Sequence, residues 1–238
     1  MQKLWVLSVK ALILTGGFGK RLKPITDYVP KPLIPINNIP IIEWQIRYFK
    51  KFGLKEFVIC SGYKNEQIKD YLEAKKNLGV KIHYSVEKVP LGTGGAIKNA
   101  SCFIDESHFF VMNGDVITDL DPRNLQLKPN SVAVIPLRTT FGIVNIMGDK
   151  VAKFHEKPII SEFWMNAGIY YLSKEIIKHL PKKGNIENSV FPLYSAKGRL
   201  FAVKYKKAFW HSIDSHKDIE ECAKNIVAKH YDDFIFKK

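Results

Sequence analysis

A short glycine-rich segment followed by basic residues is the first feature of this chain that could do chemistry. It contains Gly16, Gly17 and Gly19, and Lys20 and Arg21 come directly after the third glycine. Glycines let the backbone approach a ligand closely and direct several N–H groups into one concavity, which suits an anion. With two cations alongside, the segment favours a nucleoside triphosphate as its ligand.

Two common phosphate-binding motifs do not match this loop. No serine or threonine follows Gly19 and Lys20, and the first two glycines are too close together for a P-loop. Leu22 occupies the third glycine position of the dinucleotide-binding fingerprint. Taken by itself, the loop therefore leaves two interpretations open, a triphosphate cradle and an ordinary tight turn.

The residues that follow the loop reveal a family resemblance. Residues 30–36 read PKPLIPI, soon after the GGFGKRL segment at 16–22. This resembles the opening signature of the nucleotidyltransferases that act on sugar 1-phosphates, the NDP-sugar pyrophosphorylases, which is close to G-G-x-G-[TS]-R-L and then P-K-P-[LM]-x-P. Lys20 stands where the family usually has threonine or serine.

Further family motifs follow in order over about residues 10 to 225. They are LGTGGA at 91–96, NGD at 113–115, FGIV at 141–144, EKP at 156–158, NAGIY at 166–170, a segment similar to E-x-x-[VI]-F-P at 187–192, and WHSID at 210–214. In the last of these, Ser215 and His216 replace the Gly-Thr of the family. The stretch LGTGGAIKNA is most similar to guanylyltransferases of mannose 1-phosphate and heptose 1-phosphate.

The resemblance implies a reaction and a set of residue roles. An NTP and a sugar 1-phosphate would give an NDP-sugar and pyrophosphate, with Mg²⁺ as cofactor. The residues implied in catalysis are Arg21, Lys31 and Lys157. Those implied in NTP binding are Leu14, Gly16, Gly17, Gly19, Lys20, Glu87, Gly92 and Thr93. Those implied in sugar binding are Asn113, Gly142, Glu156 and Asn166, and those implied in metal binding are Asp115 and Asp214.

Glu87 bears on the choice of base. A carboxylate can accept hydrogen bonds from both N1–H and the exocyclic amine of guanine, whereas uracil and thymine offer one donor there. Because the family meets the base near this position, the sequence predicts GTP as the nucleotide. The alternative is a solvent-facing glutamate beside Lys88.

The other implied site residues also have structural alternatives. Lys31 lies between two prolines and could belong to a surface turn, and Asp115 after a glycine could be a turn former. Asp214 could cap the last helix, a common role for aspartate, with Ser215 as its competitor. Glu156 and Lys157 could form an exposed ion pair at a strand end. Zinc is not supported, since the histidines and aspartates at 211–218 fit no standard spacing.

The elements that must position these residues alternate between strand and helix in the first half. Apolar runs predict strands at 10–14, 56–61, 79–86 and 109–112, and helices are predicted at 40–52, at 66–75 and after Gly94 and Gly95. This order predicts an α/β fold, a doubly wound, mostly parallel mixed sheet of Rossmann-like type. Ligands in such sheets bind outside the carboxyl ends of the strands.

The second half contains closely spaced strand-like runs at 132–137, 142–146, 151–155 and 167–172, and an amphipathic helix is predicted from Lys217 to Tyr231. No linker or repeat interrupts the chain. The sequence therefore predicts one catalytic domain over residues 1–238, in which residues 1–9 form an N-terminal extension and no C-terminal β-helix domain follows.

Composition and net charge limit the other functions that the chain could have. The chain has 238 residues, of which 46% are hydrophobic and 25% charged, and its net charge of +14 predicts an anionic partner. Nucleic acid is disfavoured, because the chain has 32 lysines but 5 arginines and shows no aromatic-interleaved RNA motif or helix-turn-helix. A regulatory domain that binds nucleotide sugar without turnover, and a homo-oligomer, stay open. Three dispersed cysteines and the absence of a leader or membrane-length apolar run predict buried thiols in a cytoplasmic protein.

Overall fold

The computed structural model describes residues 9–75, 78–139 and 141–236, so most of the predicted N-terminal extension lies outside the described residues. The strands are β1 (Ala11–Thr15), β2 (Pro35–Ile36), β3 (Ile39–Pro40), β4 (Glu56–Ser61), β5 (Lys81–Val86), β6 (His108–Asn113), β7 (Val116–Thr118), β8 (Ser131–Arg138), β9 (Ile143–Met147), β10 (Lys150–His155), β11 (Ile159–Ser173), β12 (Phe201–Lys204) and β13 (Trp210–Ser212). The α-helices are α1 (Ile25–Tyr28), α2 (Ile41–Lys51), α3 (Asn65–Ala74), α4 (Gly92–Asn99), α5 (Val190–Ala196), α6 (His216–Ala228) and α7 (Tyr231–Phe236).

A seven-stranded sheet forms the centre of the fold, in the order β12-β8-β11-β6-β1-β4-β5. Neighbouring strands pair in parallel except where β11 runs antiparallel to both β6 and β8. The carboxyl ends of β1, β4 and β6 consequently meet at one edge. The predicted mostly parallel mixed sheet is confirmed.

Both faces of the sheet are covered, because alternate residues of β1 belong to different halves of the core. Ile13 packs in one cluster with Trp44 and Phe49 of α2. Leu12 packs in another cluster with Ile97 of α4. A strand buried on both faces reads as a continuous apolar run, which is what β1 shows in the sequence. The helices therefore flank the sheet on two sides, as the alternating pattern predicted.

Several elements differ from the sequence-based expectation. Helix α4 begins at Gly92, so Gly94 and Gly95 lie inside its first turn rather than before it. The last helix is not continuous to Tyr231. It ends at Ala228, and α7 begins after His230, whose φ of 51° breaks the helical path. Strand β11 runs for 15 residues, far beyond the predicted 167–172.

One cysteine also departs from the prediction. Cys60 and Cys222 are buried, but Cys102 is exposed. Its place in the 3-10 turn Ala100–Phe103 explains the difference, since such a turn leaves one side facing solvent.

Candidate active site

The ends of β1 and β6 are held together by a glycine. The amide of Gly114 donates to the carbonyl of Leu14 at 2.9 Å, and a Cβ at position 114 would lie 2.3 Å from that same oxygen. No other residue fits without moving the backbone. This contact places Asp115 beside the glycine loop that follows β1.

Gln45 of α2 holds the backbone of residues 113–116 in place. Its buried Nε2 donates to the carbonyls of Asn113 and Val116, at 2.8 and 2.9 Å. The two bonds flank Asp115 and fix the backbone on either side of it. No motif in the sequence marked Gln45, because the contact depends on the packing of α2 against the end of β6.

Lys31 bridges the two predicted metal ligands. Its Nζ lies 2.9 Å from Oδ2 of Asp115 and 3.0 Å from Oδ1 of Asp214. The same oxygen of Asp214 accepts from Nη2 of Arg21 at 2.7 Å. The structure thus brings together four residues that the sequence assigned to one site. We call Arg21, Lys31, Asp115 and Asp214 the charged cluster. The Lys31 side chain is only 15% exposed, so it does not belong to a surface turn.

Gly19 allows Lys31 to come this close to the loop. It has a φ of 61°, and a Cβ there would lie 2.8 Å from Cγ2 of Thr26 and 3.2 Å from Cβ of Lys31. The buried hydroxyl of Thr26 donates to the carbonyl of Gly19 at 3.1 Å. The third glycine is therefore required for packing as well as for conformation.

The carboxylate of Asp214 is part of the charged cluster, and Asp214 does not cap α6. Ser215 is the N-cap residue, and its hydroxyl and the carboxylate of Asp218 form a capping box. Asp218 also accepts from the amide of Asp214 at 2.9 Å, and Ser212 donates to the Asp214 carboxylate at 3.0 Å. Burial alone would raise the pKa of the Asp214 carboxyl, but Lys31 and Arg21, with the Ser212 hydrogen bond, outweigh it and hold this pKa below its ordinary value.

Two adjoining clefts open at this edge of the sheet. The first has a volume of about 250 Å³. It is lined by residues of the glycine loop, by Lys20, which follows that loop, and by the charged cluster. The second has a volume of about 230 Å³ and is lined by Glu87, Pro90, Gly92, Thr93 and Asn185. Leu14 and Gly17 line both. An extended anionic ligand could therefore reach from one cleft into the other across the end of β1.

Glu87 lies in the wall of the second cleft and is not solvent-facing, since it is only 8% exposed. Its Oε2 accepts from the amide of Leu91 at 3.0 Å. A Cβ at Gly16 would lie within 2.9–3.0 Å of the Glu87 carboxylate, so the loop glycine makes room for it. Burial raises the pKa of the Glu87 carboxyl, and the hydrogen bond from Leu91 partly offsets this effect.

The glycines at 92, 94 and 95 allow close packing at the start of α4. The carbonyl of Gly184 accepts from the amides of Gly94 and Gly95 at 3.0 and 3.1 Å. A Cβ at Gly92 would lie 2.6 Å from Oδ1 of Asn185. These contacts seat the start of α4 against residues 182–186, an arrangement that the local motif could not reveal.

A series of hydrogen bonds leads from the start of α4 towards the predicted sugar-binding residues. The hydroxyl of Thr93 donates to Glu187 at 2.5 Å, and Tyr170 donates to the other oxygen of Glu187 at 3.1 Å. Asn166 donates to the Tyr170 hydroxyl at 2.7 Å. Tyr170 is fully buried, so it belongs to the core and is not a ligand platform. Glu187 thereby joins the start of α4 to β11.

Asn113 reaches the same region from β6. Its side chain lies against Gly168 of β11, where a Cβ would be 2.9 Å from the Asn113 amide nitrogen. The buried Oδ1 of Asn113 has no hydrogen-bond partner among residues 9–75, 78–139 and 141–236. An unpaired buried acceptor is costly unless a ligand satisfies it.

Lys157, Glu156 and Gly142 lie apart from the charged cluster. Lys157 and Glu156 form an ion pair at 3.6 Å with side chains 52% and 63% exposed, in the turn between β10 and β11. Glu156 approaches Gly142, where a Cβ would lie 3.1 Å from its Oε2. Neither of the described linings of the two clefts includes these three residues. Their present geometry matches the exposed-pair alternative, so the sugar roles assigned to them stay predictions.

The pair Asp115 and Asp214 fits a magnesium ion. Both are carboxylates, the ligands that Mg²⁺ prefers, and one oxygen of each lies within 3.0 Å of the same nitrogen. Mg²⁺ commonly takes one or two carboxylates and completes its shell with phosphate oxygens and water. The described residues contain no group of three or more His, Cys, Asp or Glu side chains that could hold a metal ion.

A mostly parallel sheet whose carboxyl edge carries a glycine loop, clustered cations and paired carboxylates defines a nucleotide-binding α/β enzyme. The model of the nucleotidyl transferase family matches residues 10–229. The chain therefore belongs to the nucleotidyl transferase family and is an enzyme, and the resemblance read from its motifs is confirmed.

Relatives within this family include two guanylyltransferases. D-glycero-alpha-D-manno-heptose 1-phosphate guanylyltransferase of Campylobacter jejuni is 41% identical over 173 residues, which cover 71% of this chain and 77% of that protein. Mannose-1-phosphate guanylyltransferase catalytic subunit beta of Dictyostelium discoideum is 34% identical, and the match covers 88% of this chain and 62% of that protein. The crystal structure of HddC from Yersinia pseudotuberculosis superposes with a TM-score of 0.75 at 29% identity, over 92% of this chain and 99% of that one.

The described part of the chain contains no helix that is both long enough and apolar enough to cross a membrane. The cytoplasmic location stays a prediction.

Proposed function

We propose that this chain transfers a guanylyl group from GTP to a sugar 1-phosphate, releasing pyrophosphate and a GDP-sugar. The observation that carries the proposal is the buried Glu87 carboxylate in the wall of the cleft that adjoins the charged cluster. The names of the Campylobacter and Dictyostelium relatives support the same nucleotide and point to a heptose or mannose type of sugar.

The transfer is a single displacement and needs no nucleophilic side chain. The second pKa of a phosphate monoester is about 6, so the sugar phosphate is already ionised at neutral pH. One of its oxygens attacks the α-phosphorus of GTP in line, the new P–O bond forms, and the bond to the bridging oxygen of pyrophosphate breaks. The obstacle is electrostatic, because two anions must meet and charge builds on the leaving group.

The cations of the first cleft answer that obstacle. Arg21 is 77% exposed and extends into the cleft, where it can swing from Asp214 to a phosphate oxygen. Lys31 is held at a fixed place by two carboxylates and lies beside the glycine loop. Mg²⁺ held by Asp115 and Asp214 would neutralise charge on the phosphate oxygens. With that ion present, both basic side chains are free to hold the triphosphate.

The second cleft would hold the base. Within the described part of the chain, the Glu87 carboxylate accepts a single hydrogen bond, from the amide of Leu91, so it keeps lone pairs for two further donors. Guanine presents two adjacent donors, N1–H and the exocyclic amine, which match a carboxylate in a bidentate arrangement. Uracil and thymine would leave part of this buried acceptor unpaired, and that cost disfavours them.

The sugar would lie along β6 and β11. Asn113 offers a buried unpaired oxygen, and the Tyr170 hydroxyl contacts the side chains of both Asn113 and Asn166. Both can exchange hydrogen bonds with sugar hydroxyls. Lys157 would pair with the sugar phosphate after the turn that carries it moves towards the clefts.

Pyrophosphate release measured for GTP, ATP, UTP, CTP and dTTP against a panel of sugar 1-phosphates tests the proposal. GTP should give the highest kcat/KM. In Glu87→Gln, the efficiency with GTP should fall about 10–150-fold, the scale of one lost charged hydrogen bond, and the preference over UTP should narrow. Glu220→Gln removes the same charge from an exposed position of α6 and should leave the profile unchanged.

Two results would contradict the proposal. An unaltered nucleotide profile in Glu87→Gln would remove this residue from base recognition, even if GTP remained the best substrate. Binding of a GDP-sugar without turnover of any NTP and sugar 1-phosphate would instead indicate the regulatory alternative.

A further inference from the structure

The turn between β4 and α3 packs against the glycine loop that follows β1. A Cβ at Gly62 would lie 3.3 Å from the carbonyl oxygen of Gly16, so this turn touches the start of the loop. The next residue, Tyr63, places its ring 5.3 Å from the ring of Phe18, measured between centroids and at an angle of 53°. This distance lies within the range of a favourable aromatic pair. The turn therefore contacts the loop at two points.

Tyr63 also reaches the end of the loop, through Thr26. Its hydroxyl donates to the carbonyl of Thr26 at 3.0 Å. The buried hydroxyl of Thr26 donates in turn to the carbonyl of Gly19 at 3.1 Å, and a Cβ at Gly19 would lie 2.8 Å from Cγ2 of Thr26. Tyr63 thus holds the loop on both sides of the peptide bond that joins Phe18 to Gly19.

The neighbours of Tyr63 hold α1 independently of it. Lys64 donates to the carbonyl of Asp27 at 2.5 Å. Gln67 of α3 donates to the carbonyl of Tyr28 at 3.3 Å. Because these two bonds do not involve Tyr63, α1 should stay in place when the Tyr63 side chain is shortened. A loss of ligand affinity in such a variant would then reflect the glycine loop and not unfolding.

The ring of Phe18 also supports Lys20. The Nζ of Lys20 lies 5.9 Å from the centroid of this ring, within the distance of a cation–π contact. Lys20 lines the first cleft, whereas Phe18 does not belong to its described lining. Arg21 and Lys31 are both paired with Asp214, but no carboxylate of the described residues lies within ion-pair distance of the Lys20 ammonium. This ammonium is therefore available to a phosphate, and the Phe18 ring orients it.

A loop of this composition needs such support. Glycine loses more conformational freedom on ordering than any other residue, and the loop has three glycines within four positions. A Cβ at Gly17 would meet none of the described atoms within 4 Å, so the loop faces open space at this point. A loop that already has its binding conformation loses less entropy when the ligand arrives, and its affinity is higher for that reason. The contacts with Tyr63 supply this restraint from outside the clefts.

We propose that Tyr63 is a positioning residue for triphosphate binding. It fixes the glycine loop at Phe18 and Gly19 and, through the Phe18 ring, directs Lys20 towards the phosphates. Tyr63 belongs to neither described cleft lining, so it acts on the ligand through the loop and not by direct contact. The proposal rests on the nucleotidyl transfer proposed above, but not on the choice of base.

Calorimetric titration with inorganic tripolyphosphate and Mg²⁺ tests the proposal, because this probe carries phosphates without a base or a sugar. Tyr63→Leu removes the ring and the hydroxyl and should weaken binding about 10-fold, the scale of one hydrogen bond and one ring contact. Tyr63→Phe keeps the ring against Phe18 and should weaken it roughly 3-fold. In steady-state assays, Tyr63→Leu should raise the KM for GTP by a similar factor and leave kcat and the KM for the sugar 1-phosphate unchanged.

A double-mutant cycle tests the link to Lys20. In the Lys20→Met background, Tyr63→Leu should weaken tripolyphosphate binding about 3-fold instead of about 10-fold, because part of its effect passes through the missing ammonium. Tyr28→Leu is the matched control. It removes the same type of side chain from a neighbouring position that is 75% exposed, and it should leave the affinity unchanged.

Unchanged tripolyphosphate affinity in both Tyr63 variants, or equal losses in the wild-type and Lys20→Met backgrounds, would overturn the proposal. So would a lower Tm in Tyr63→Leu with equal losses for both substrates, because Tyr63 would then only support the fold. A wild type that binds no tripolyphosphate would overturn it as well, since the glycine loop would not bind phosphates by itself. The expected tripolyphosphate losses in a protein without a preference for GTP would support the role of Tyr63 and contradict guanylyl transfer alone.

Discussion

Replacing Lys31 by methionine should make the protein less stable without magnesium and more responsive to it. The Lys31 ammonium lies 2.9 Å from Asp115 and 3.0 Å from Asp214, and these same two oxygens would bind Mg²⁺. A metal ion and the ammonium cannot both occupy the space between the carboxylates. In the free enzyme the lysine is therefore a competitor of the metal, and methionine keeps its length without its charge.

The size of the effect follows from the burial of the cluster. Exposed ion pairs contribute about 0–1 kcal/mol, and breaking a buried pair costs roughly 3–5 kcal/mol. Lys31 is 15% exposed and the two carboxylates are 27% and 30% exposed, so the cluster lies between these limits. We expect Lys31→Met to lower the free energy of unfolding by about 2 kcal/mol, which corresponds to a Tm lower by roughly 4–8 °C for a chain of this length.

The same free energy should appear as tighter magnesium binding. When the carboxylates no longer share a lysine, a gain of about 2 kcal/mol corresponds to an apparent Kd for Mg²⁺ roughly 30-fold lower. Thermal unfolding in a magnesium titration measures both quantities, because a ligand of the native state raises Tm with its concentration. Magnesium should thus recover most of the stability lost in Lys31→Met, while nucleotidyl transfer stays impaired.

Lys197 provides the control for this prediction. Lys197→Met removes a lysine from an exposed position after α5 and should change neither Tm nor its magnesium dependence. If Lys31→Met unfolds at the same temperature as the wild type and gains no more from Mg²⁺, Lys31 does not hold the two carboxylates. An unchanged Tm together with strong magnesium binding by both proteins would place the metal elsewhere.

Further predictions concern other positions of the site. Lys157→Ala should weaken kcat/KM for the sugar 1-phosphate about 10–150-fold but leave GTP binding unchanged by calorimetry, and equal losses for both substrates would contradict its role. Asp214→Asn should lower kcat by at least ~10²-fold, the scale of losing one preorganised electrostatic group, in a steady-state assay. Because the folded pKa of Asp214 is depressed, the stability difference between wild type and Asp214→Asn should be constant above about pH 5 and shrink as pH falls below about 4, in denaturant titrations. Gly114→Ala should lower the free energy of unfolding by roughly 2–4 kcal/mol in urea titrations, since the added Cβ meets the carbonyl of Leu14.

Patterns within a few residues were enough to predict much of the fold. Apolar runs such as Ala11–Thr15 and Glu56–Ser61 are buried on both faces, so their strand assignment needs no distant partner. The first two predicted helices lie within two residues of their observed bounds at 41–51 and 65–74, whereas the third begins at Gly92, before the predicted start. The last helix was predicted too long, because an amphipathic pattern continues across the break at His230.

The residues of the candidate site also fall into those that local motifs predicted and those that they did not. The glycine loop, Lys31, Asp115 and Asp214 were found from the sequence because each belongs to a motif of several residues. Gln45, Thr26 and Glu187 were missed as positioning residues, because their roles depend on single contacts with distant segments. Glu187 alone had a signal, the segment at 187–192, which marked its position but not its hydrogen bonds.

The sequence by itself determined the alternation of strands and helices, the family and the residue types available for phosphate chemistry, because these depend on short patterns. The tertiary structure decided which of these residues meet. Lys31 is 84 residues from Asp115 and 183 from Asp214, and only the parallel order of β1 and β6 and the return of the chain to Asp214 after β13 bring them within 3.0 Å. It also decided that Glu87 is buried and that Ile146 and Phe154 of the β9–β10 hairpin are exposed. Burial depends on what packs against a residue, and for both segments that partner, or its lack, comes from elsewhere in the fold.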